Sequence, residues 1–401
     1  MTKPIPNRFY SLDTLRGLAA LSVVFSHWKH FFSIPGNKLP SSQQELHPLA
    51  VLFNPLYTDG YRAVDLFFCL SGFIFYWLYS EKISNRNVSL KEFVVLRFSR
   101  LYPLHFLTLL LVVAGQAFVH WKYRSFFVYF HNDLYHLGLQ LLFASDWGFE
   151  QGFSFNGPIW SVSIEVLCYA AFCAVCLLNL RRWWQLGLFV GFSYLFERIG
   201  HSSVGRGMFC FFIGGIVFQT FTYLWPRIHS RRMVVWLGGF TALMWLLIPL
   251  NLHYDILARA GQHIGLEQTH LTLFGKDAGG FVAEEITRVS FNLLLFPLTI
   301  LTLALLEAQR GTLGKRLAFL GDISYSTYLL HFPLQLMFVS VAFICAVPSA
   351  FFCTPLALLL FFLALIPLSL CSYHFFERPC QSWLRSRLLP PVVATQSPRK
   401  P

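Results

Sequence analysis

Of 401 residues, 55% are hydrophobic and only 12% charged, about half the charged share of a soluble domain, so water is excluded as the main solvent of this chain. Apolar runs near the ~20 residues that cross a hydrocarbon core recur along its whole length and leave no room for a separate soluble domain. The formal charge of +12 does not point to nucleic acid, because the 31 Lys and Arg cluster in short segments between apolar runs, as membrane topology demands.

The chain reads as an all-α polytopic membrane helical bundle of ten transmembrane helices, at roughly 14–33, 60–80, 101–119, 159–180, 183–198, 206–224, 233–250, 288–307, 320–345 and 351–376. With both termini cytoplasmic, most Lys and Arg lie inside; the inverse topology would put the runs Arg97/Arg100, Arg227/Arg231/Arg232 and Arg310/Lys315/Arg316 outside. Residues 1–377 are expected to form one transmembrane domain, and 378–401 a short disordered cytoplasmic tail. The N-terminus has basic residues before an apolar run, but Arg16 and His27 interrupt that run and no small-x-small cleavage site follows, so it is kept as the first span.

Titratable side chains inside spans are costly and mark the places to look for chemistry. In LDTLRGLAALSVVFSHW, Arg16 and His27 are eleven steps apart, about three turns, hence on nearly one face and ~16 Å apart. Arg16 then lies near the inner surface, as a ligand contact or an ordinary snorkelling residue. His27 lies deeper, as a general base or a hydrogen-bonded helix contact.

In the second span, Asp65 of AVDLFFCLSGFIF comes at a depth close to that of His27. It is expected either to orient that imidazole or to lock two helices together. At the inner edge of the third, Arg97 and Arg100 of RFSRLYPLH stand one turn apart, a spacing that suits a phosphate clamp and also satisfies topology. His105 follows, with a ligand-facing and a helix-contact reading both open.

Residues 131–147 are apolar in the middle but short, and read as a re-entrant or interfacial helix. Aromatic residues from Trp147 to Trp160 bracket the outer approach to the fourth span and fit an interfacial belt, with sugar stacking as the other reading. That span carries Glu165 in GPIWSVSIEVLCY, where an acid can bind a hydroxyl-rich substrate, orient a base or accept a proton itself. In the ninth, GDISYSTYLLHFP places Tyr325, Tyr328 and His331 on a polar stripe. It reads as a wall of a substrate-binding tunnel or as interhelical hydrogen bonding.

All nine Cys fall in or beside spans, so no extracytoplasmic disulfide framework is expected. His253, His263 and His270 of the outer loop 251–287 have no recognised ligand spacing, and no metal is expected. Intramembrane His, Asp and Glu also build proton relays, so a proton-coupled secondary transporter is the rival class, although no internal repeat supports it.

Taken in order, these blocks resemble the acyltransferase-3 family of membrane O-acyltransferases, from about Tyr10 to Pro379. The opening is similar to the family's LDxLRGLAA with its Arg, ten residues, His motif at Arg16 and His27. DLFFCLSGFIF, RFSRLYP, WSVSIEVLCY and GDISYSTYLLHFP…FFERP resemble its later blocks. Where relatives often have Glu, Gln and Phe after the Glu, this chain has Val166, Leu167 and Cys168.

The resemblance implies a stand-alone enzyme, without a fused hydrolase-like domain, in a bacterial inner membrane. Its donor would be cytoplasmic acyl-CoA, most often acetyl-CoA, and its acceptor a hydroxyl of an extracytoplasmic glycan or glycolipid. On that reading Arg16, Arg97 and Arg100 bind the donor. His27 acts as base beside Asp65 or Glu165, by direct attack on the thioester or through a transient acyl group.

Overall fold

Apolar composition throughout leaves each backbone amide to be satisfied within its own segment, and the chain accordingly folds as helices. The structure, a computed structural model, describes residues 5–33, 47–200, 202–228, 230–254 and 285–390, with 256, 272–273, 276–277 and 282 between. His263, His270 and residues 391–401 of the tail lie outside the described residues, as does the side chain of His253. The helices are α1 (Tyr10–Ser26), α2 (Ala50–Asp59), α3 (Ala63–Ser84), α4 (Leu90–Tyr123), α5 (Leu134–Leu141), α6 (Ile159–Leu177) and α7 (Trp183–Gly200). They continue with α8 (Ser203–Leu224), α9 (Arg231–Tyr254), α10 (Phe296–Arg310), α11 (Phe319–Asp322), α12 (Ser324–Ile344), α13 (Pro355–Cys371) and α14 (Arg378–Leu388). Thr272–Leu273 pairs antiparallel with Lys276–Asp277.

Among the described residues, eight helical segments are long and apolar enough to cross a membrane, and the chain is a helical membrane bundle. The first and fifth of the ten expected spans are not among them. Helix α1 has only 17 residues, because it ends at Ser26 and passes through His27 into a 3₁₀ turn, Trp28–Phe32. The fifth, α7, runs unbroken over Trp183–Gly200, but Gln185, Glu197 and Arg198 leave it too polar. Helix α5, with eight residues or ~12 Å, does not span. The expected disordered tail is corrected in part: 378–388 form α14, held to α4 by Arg385 Nε donating to Ser99 Oγ at 3.2 Å.

Small residues set the closest helix crossings, as they do where lipid supplies no hydrophobic drive. A Cβ on Gly72 of α3 would lie 1.9 Å from the Phe211 carbonyl oxygen of α8, and one on Gly214 would lie 1.9 Å from that of Cys69. Gly17 of α1 meets Leu320 of α11 in the same way, with 2.3 Å left for a Cβ. Aromatic rings fill the remaining core, among them Phe73, Phe93, Phe172, Phe211 and Phe221.

Two π-helical segments, Val289–Leu295 leading into α10 and Ser372–Glu377 joining α13 to α14, each add a residue to a turn and turn one polar side chain inward. Those side chains are Asn292 and Glu377, both buried.

Candidate active site

The inner end of the bundle gathers three arginines. Helix α4 starts at an N-cap, with Ser89 Oγ accepting the Glu92 amide at 3.1 Å, and Arg97 and Arg100 follow two to three turns into it. Arg97 donates to the Tyr79 hydroxyl at 2.7 Å, and its guanidinium lies over the Phe75 and Tyr79 rings at 5.1 and 5.0 Å. Its Nε is buried without a hydrogen-bond partner. Arg100 pairs with Glu377 at 3.2 Å between the rings of Tyr325 and Tyr373. Arg16 donates to the Gly321 carbonyl at 2.8 Å and to Ser324 Oγ at 3.1 Å, and pairs with Asp13 at 3.1 Å.

All three line one open cleft, which has Glu165, Ser71 and Tyr325 in its walls. Glu165 accepts from Ser71 Oγ at 2.7 Å. At the far end of this cleft Tyr328 is held by Ser161 at 2.7 Å and donates to the Pro158 carbonyl at 3.0 Å. A cleft with three permanent cations at one end, a single acid within and a hydroxyl-lined wall suits a long, phosphate-bearing ligand.

One turn beyond Tyr328, His331 is fully buried and its Nε2 lies 2.7 Å from His27 Nδ1. The His27 ring stacks between His331 and His30, with centroids 5.0 and 4.7 Å away. This cluster exists because α1 stops at Ser26: the change to a 3₁₀ turn brings His27 and His30 to the same side, facing α12. Gln335 ties the junction, donating to the His27 carbonyl at 3.0 Å and accepting at 3.2 Å from His30 Nδ1.

The expected pairing of Asp65 with His27 is not formed. Asp65 is bidentate to Arg206, at 2.6 and 3.0 Å, and takes a third bond from Asn292 at 3.2 Å. The Gly72/Gly214 crossing is the physical reason, since it sets the first turn of α3 against the first turn of α8, where Arg206 is the nearest cation. Glu165 bonds Ser71 rather than a histidine. The imidazole next to His27 is therefore His331, which the polar stripe had suggested as a substrate contact. His105 turns to the Gln140 carbonyl at 2.8 Å and is a contact between α4 and α5.

Three positioning residues escaped sequence reasoning: Glu377, Arg206 and Glu307. Glu307, fully buried, accepts from the amides of Tyr10 and Ser11 at 2.9 and 2.8 Å and from Ser11 Oγ at 2.7 Å, capping α1 from a distance of 296 residues in sequence. The signal was present, since each is an ionisable group inside or at the edge of a span, but all three sit at boundaries where charge passes as topology. Among the described residues no group of three or more His, Cys, Asp or Glu is arranged to hold a metal ion.

Residues 9–374 match a family profile described as an acyltransferase domain. The chain is 37% identical over 114 residues to a Rhizobium radiobacter protein named as protein 2 of the picA locus, an overlap of 28% of this chain and 49% of the relative. It is 25% identical over 388 residues to a protein of Staphylococcus aureus strain COL named as a candidate O-acetyltransferase, covering 88% of this chain and 58% of the relative. A Staphylococcus aureus strain MSSA476 protein with the same name is 24% identical over 394 residues, 92% of this chain and 56% of the relative. The chain thus spans about half the length of the curated relatives it matches. No solved structure matches.

Proposed function

This chain belongs to the acyltransferase-3 family of acyltransferase domains, and we propose that it moves an acyl group, most simply acetyl, from cytoplasmic acyl-CoA to a hydroxyl of an extracytoplasmic glycan or glycolipid. The observation that carries this reading is the shared cleft of Arg16, Arg97 and Arg100, which ends at Tyr328 one helical turn from the His27–His331 pair. CoA is a cytoplasmic molecule with a polyphosphate at one end and a thioester at the other, and the cations and the imidazoles are disposed in that order along the bundle.

The three arginines hold the CoA phosphates, with Arg97 and Arg100 braced by Tyr79 and Glu377. The pantetheine arm runs past Ser71, Glu165 and Tyr325 toward Tyr328. His27 takes the proton of the acceptor hydroxyl as that oxygen attacks the thioester carbon, and the carbon–sulfur bond breaks to release CoA thiol. Glu165 lies on the donor side of Tyr328, and its place is to hold the arm or the reacting carbonyl's surroundings. The bacterial relatives and the membrane bundle support a bacterial plasma membrane as the setting, with the names of the Staphylococcus aureus proteins favouring acetyl.

The test is binding. CoA raises the melting temperature of the purified wild-type chain and of His27→Ala, but not of Arg97→Ala/Arg100→Ala. Equal shifts in all three proteins would reject the donor cleft.

A further inference from the structure

We propose that His331 is a positioning residue that fixes the tautomer of His27, so that Nδ1 of His27 carries the hydrogen and Nε2 is the nitrogen left free to act as base. This rests on the acyl-transfer reading for its consequence, but the assignment itself follows from the hydrogen bonds alone.

The Tyr328 carbonyl, which can only accept, lies 2.6 Å from His331 Nδ1, so that nitrogen bears the hydrogen. Neutral His331 then has its lone pair on Nε2, and the 2.7 Å contact is a donation from His27 Nδ1–H. A doubly protonated His331 would reverse the direction, but among the described residues no carboxylate is bonded to this fully buried ring, and an unpaired buried cation is costly. Neutral His27 therefore carries its one basic lone pair on Nε2, which has no hydrogen-bond partner among the described residues, on a ring that is half-buried.

A second carbonyl fixes the neighbour by the same logic. The His27 carbonyl accepts at 3.0 Å from Gln335, so the amide must present Nε2 to it and Oε1 to His30. His30 Nδ1 then carries the hydrogen, and its Nε2 is also left as the acceptor. Two stacked imidazoles, 4.7 Å apart, thus have the same tautomer, each set by a backbone carbonyl.

The consequence for transfer is a proton that cannot leak. When His27 Nε2 takes the proton of the acceptor hydroxyl, its Nδ1–H stays bonded to His331 Nε2, which shares the charge. Among the described residues, the hydrogen bond onward from His331 ends at a backbone carbonyl that does not accept a proton. As the new ester C–O bond forms and the C–S bond breaks, the proton on Nε2 is delivered to the departing thiolate, giving CoA thiol and restoring neutral His27. A carboxylate in place of His331 would hold the imidazolium more tightly. An imidazole makes His27 a weaker base and a better acid, which suits a thiolate leaving group.

The full-length protein in nanodiscs, labelled with ¹⁵N-histidine, tests the assignment without substrate; the His27 signals are identified by their loss in His27→Gln. His27 is expected with Nδ1 protonated and Nε2 unprotonated at neutral pH, and the reverse pattern overturns the proposal. His331→Phe keeps the ring volume without an acceptor, whereas the amide oxygen of His331→Gln reaches the position of Nε2. With acetyl-CoA, kcat is expected to fall on the order of 100-fold in His331→Phe at unchanged KM, and to recover most of the way in His331→Gln. Equal kcat in wild type and His331→Phe, or equal loss in both variants, overturns the positioning role. A wild type with the expected tautomer but no acyl transfer would leave the assignment standing and reject the function it serves.

Discussion

Asp65 and Arg206 give the sharpest stability prediction, because they separate a helix lock from a catalytic acid. The carboxylate is 4% exposed and takes three hydrogen bonds, two from Arg206 and one from Asn292. Removing Arg206 leaves the buried Asp65 carboxylate unpaired, at a cost of about 3–5 kcal/mol, whereas removing Asp65 leaves Arg206, whose side chain is 30% exposed, and costs less. Replacing both by apolar residues of similar length leaves mainly the Asn292 amide unsatisfied, about 1–3 kcal/mol. Arg206→Met should therefore lower the melting temperature strongly and Asp65→Ala by less, while Asp65→Leu/Arg206→Met recovers much of the loss of Arg206→Met. Cys69 and Cys210 are buried in the same two helices, so with the other seven cysteines replaced by Ser or Ala a thiol-reactive dye reports opening of this crossing in detergent-purified protein. If Asp65→Ala melts like wild type, or if the double variant is as unstable as the sum of the singles, the lock is refuted. A stable but inactive Asp65→Ala would return the residue to the chemistry.

Gly72→Ala puts a methyl 1.9 Å from the Phe211 carbonyl oxygen and should cost more than the ~1–3 kcal/mol of ordinary overpacking, whereas Gly138→Ala in α5 meets nothing within 4 Å and should be neutral or stabilising by up to ~1 kcal/mol. Parallel melts check this, and equal effects would contradict the crossing geometry. Glu307→Ala strips the distant cap from Tyr10 and Ser11 and should destabilise the chain by about 1–3 kcal/mol, read as early proteolysis within α1 during limited digestion. In the loop between α5 and α6, burial pushes the Asp146 carboxyl up to about 7, with Glu150 adding to the effect. A folded pKa above the unfolded one means that the group costs nothing below pH ~4 and progressively destabilises the fold as the pH rises to about 7. Asp146→Asn should then melt higher than wild type at pH 8, by a few kcal/mol at most, and equally near pH 4. A gap that does not change with pH would contradict it.

The bundle was legible because its cause is compositional: apolar runs of the right length with basic residues between them admit few other folds. Helix α1 was the instructive exception. The expected span ran on to Phe31 and Phe32 across His27, Lys29 and His30, and these polar residues do not by themselves say that the helix gives way to a 3₁₀ turn at His27; the turn is held against α12 by Gln335 and His331. The inner arginines were legible for a related reason, since spacing on one helix fixes a face. Partner choice across helices was not. Depth alone put Asp65 beside His27, but which cation an acid meets depends on crossing geometry, and that rests on Gly72 and Gly214 touching backbone. The π-helical turns that bring Asn292 and Glu377 inward have no sequence signature either, so the braces of Asp65 and Arg100 were invisible until the helices were placed.

If acyl-CoA supplies the group and His27 handles the proton, both roles are read by following radiolabelled acetyl-CoA given to the inner face of sealed membrane vesicles that contain the wild type or His27→Gln. Label is predicted to pass from CoA to a hydroxyl acceptor on the outer face with wild type. With His27→Gln it should remain on CoA, while CoA binding, measured by the melting shift, persists. Transfer at the wild-type rate by His27→Gln, or a wild type that leaves acetyl-CoA unconsumed while carrying solute across the membrane, would contradict these roles.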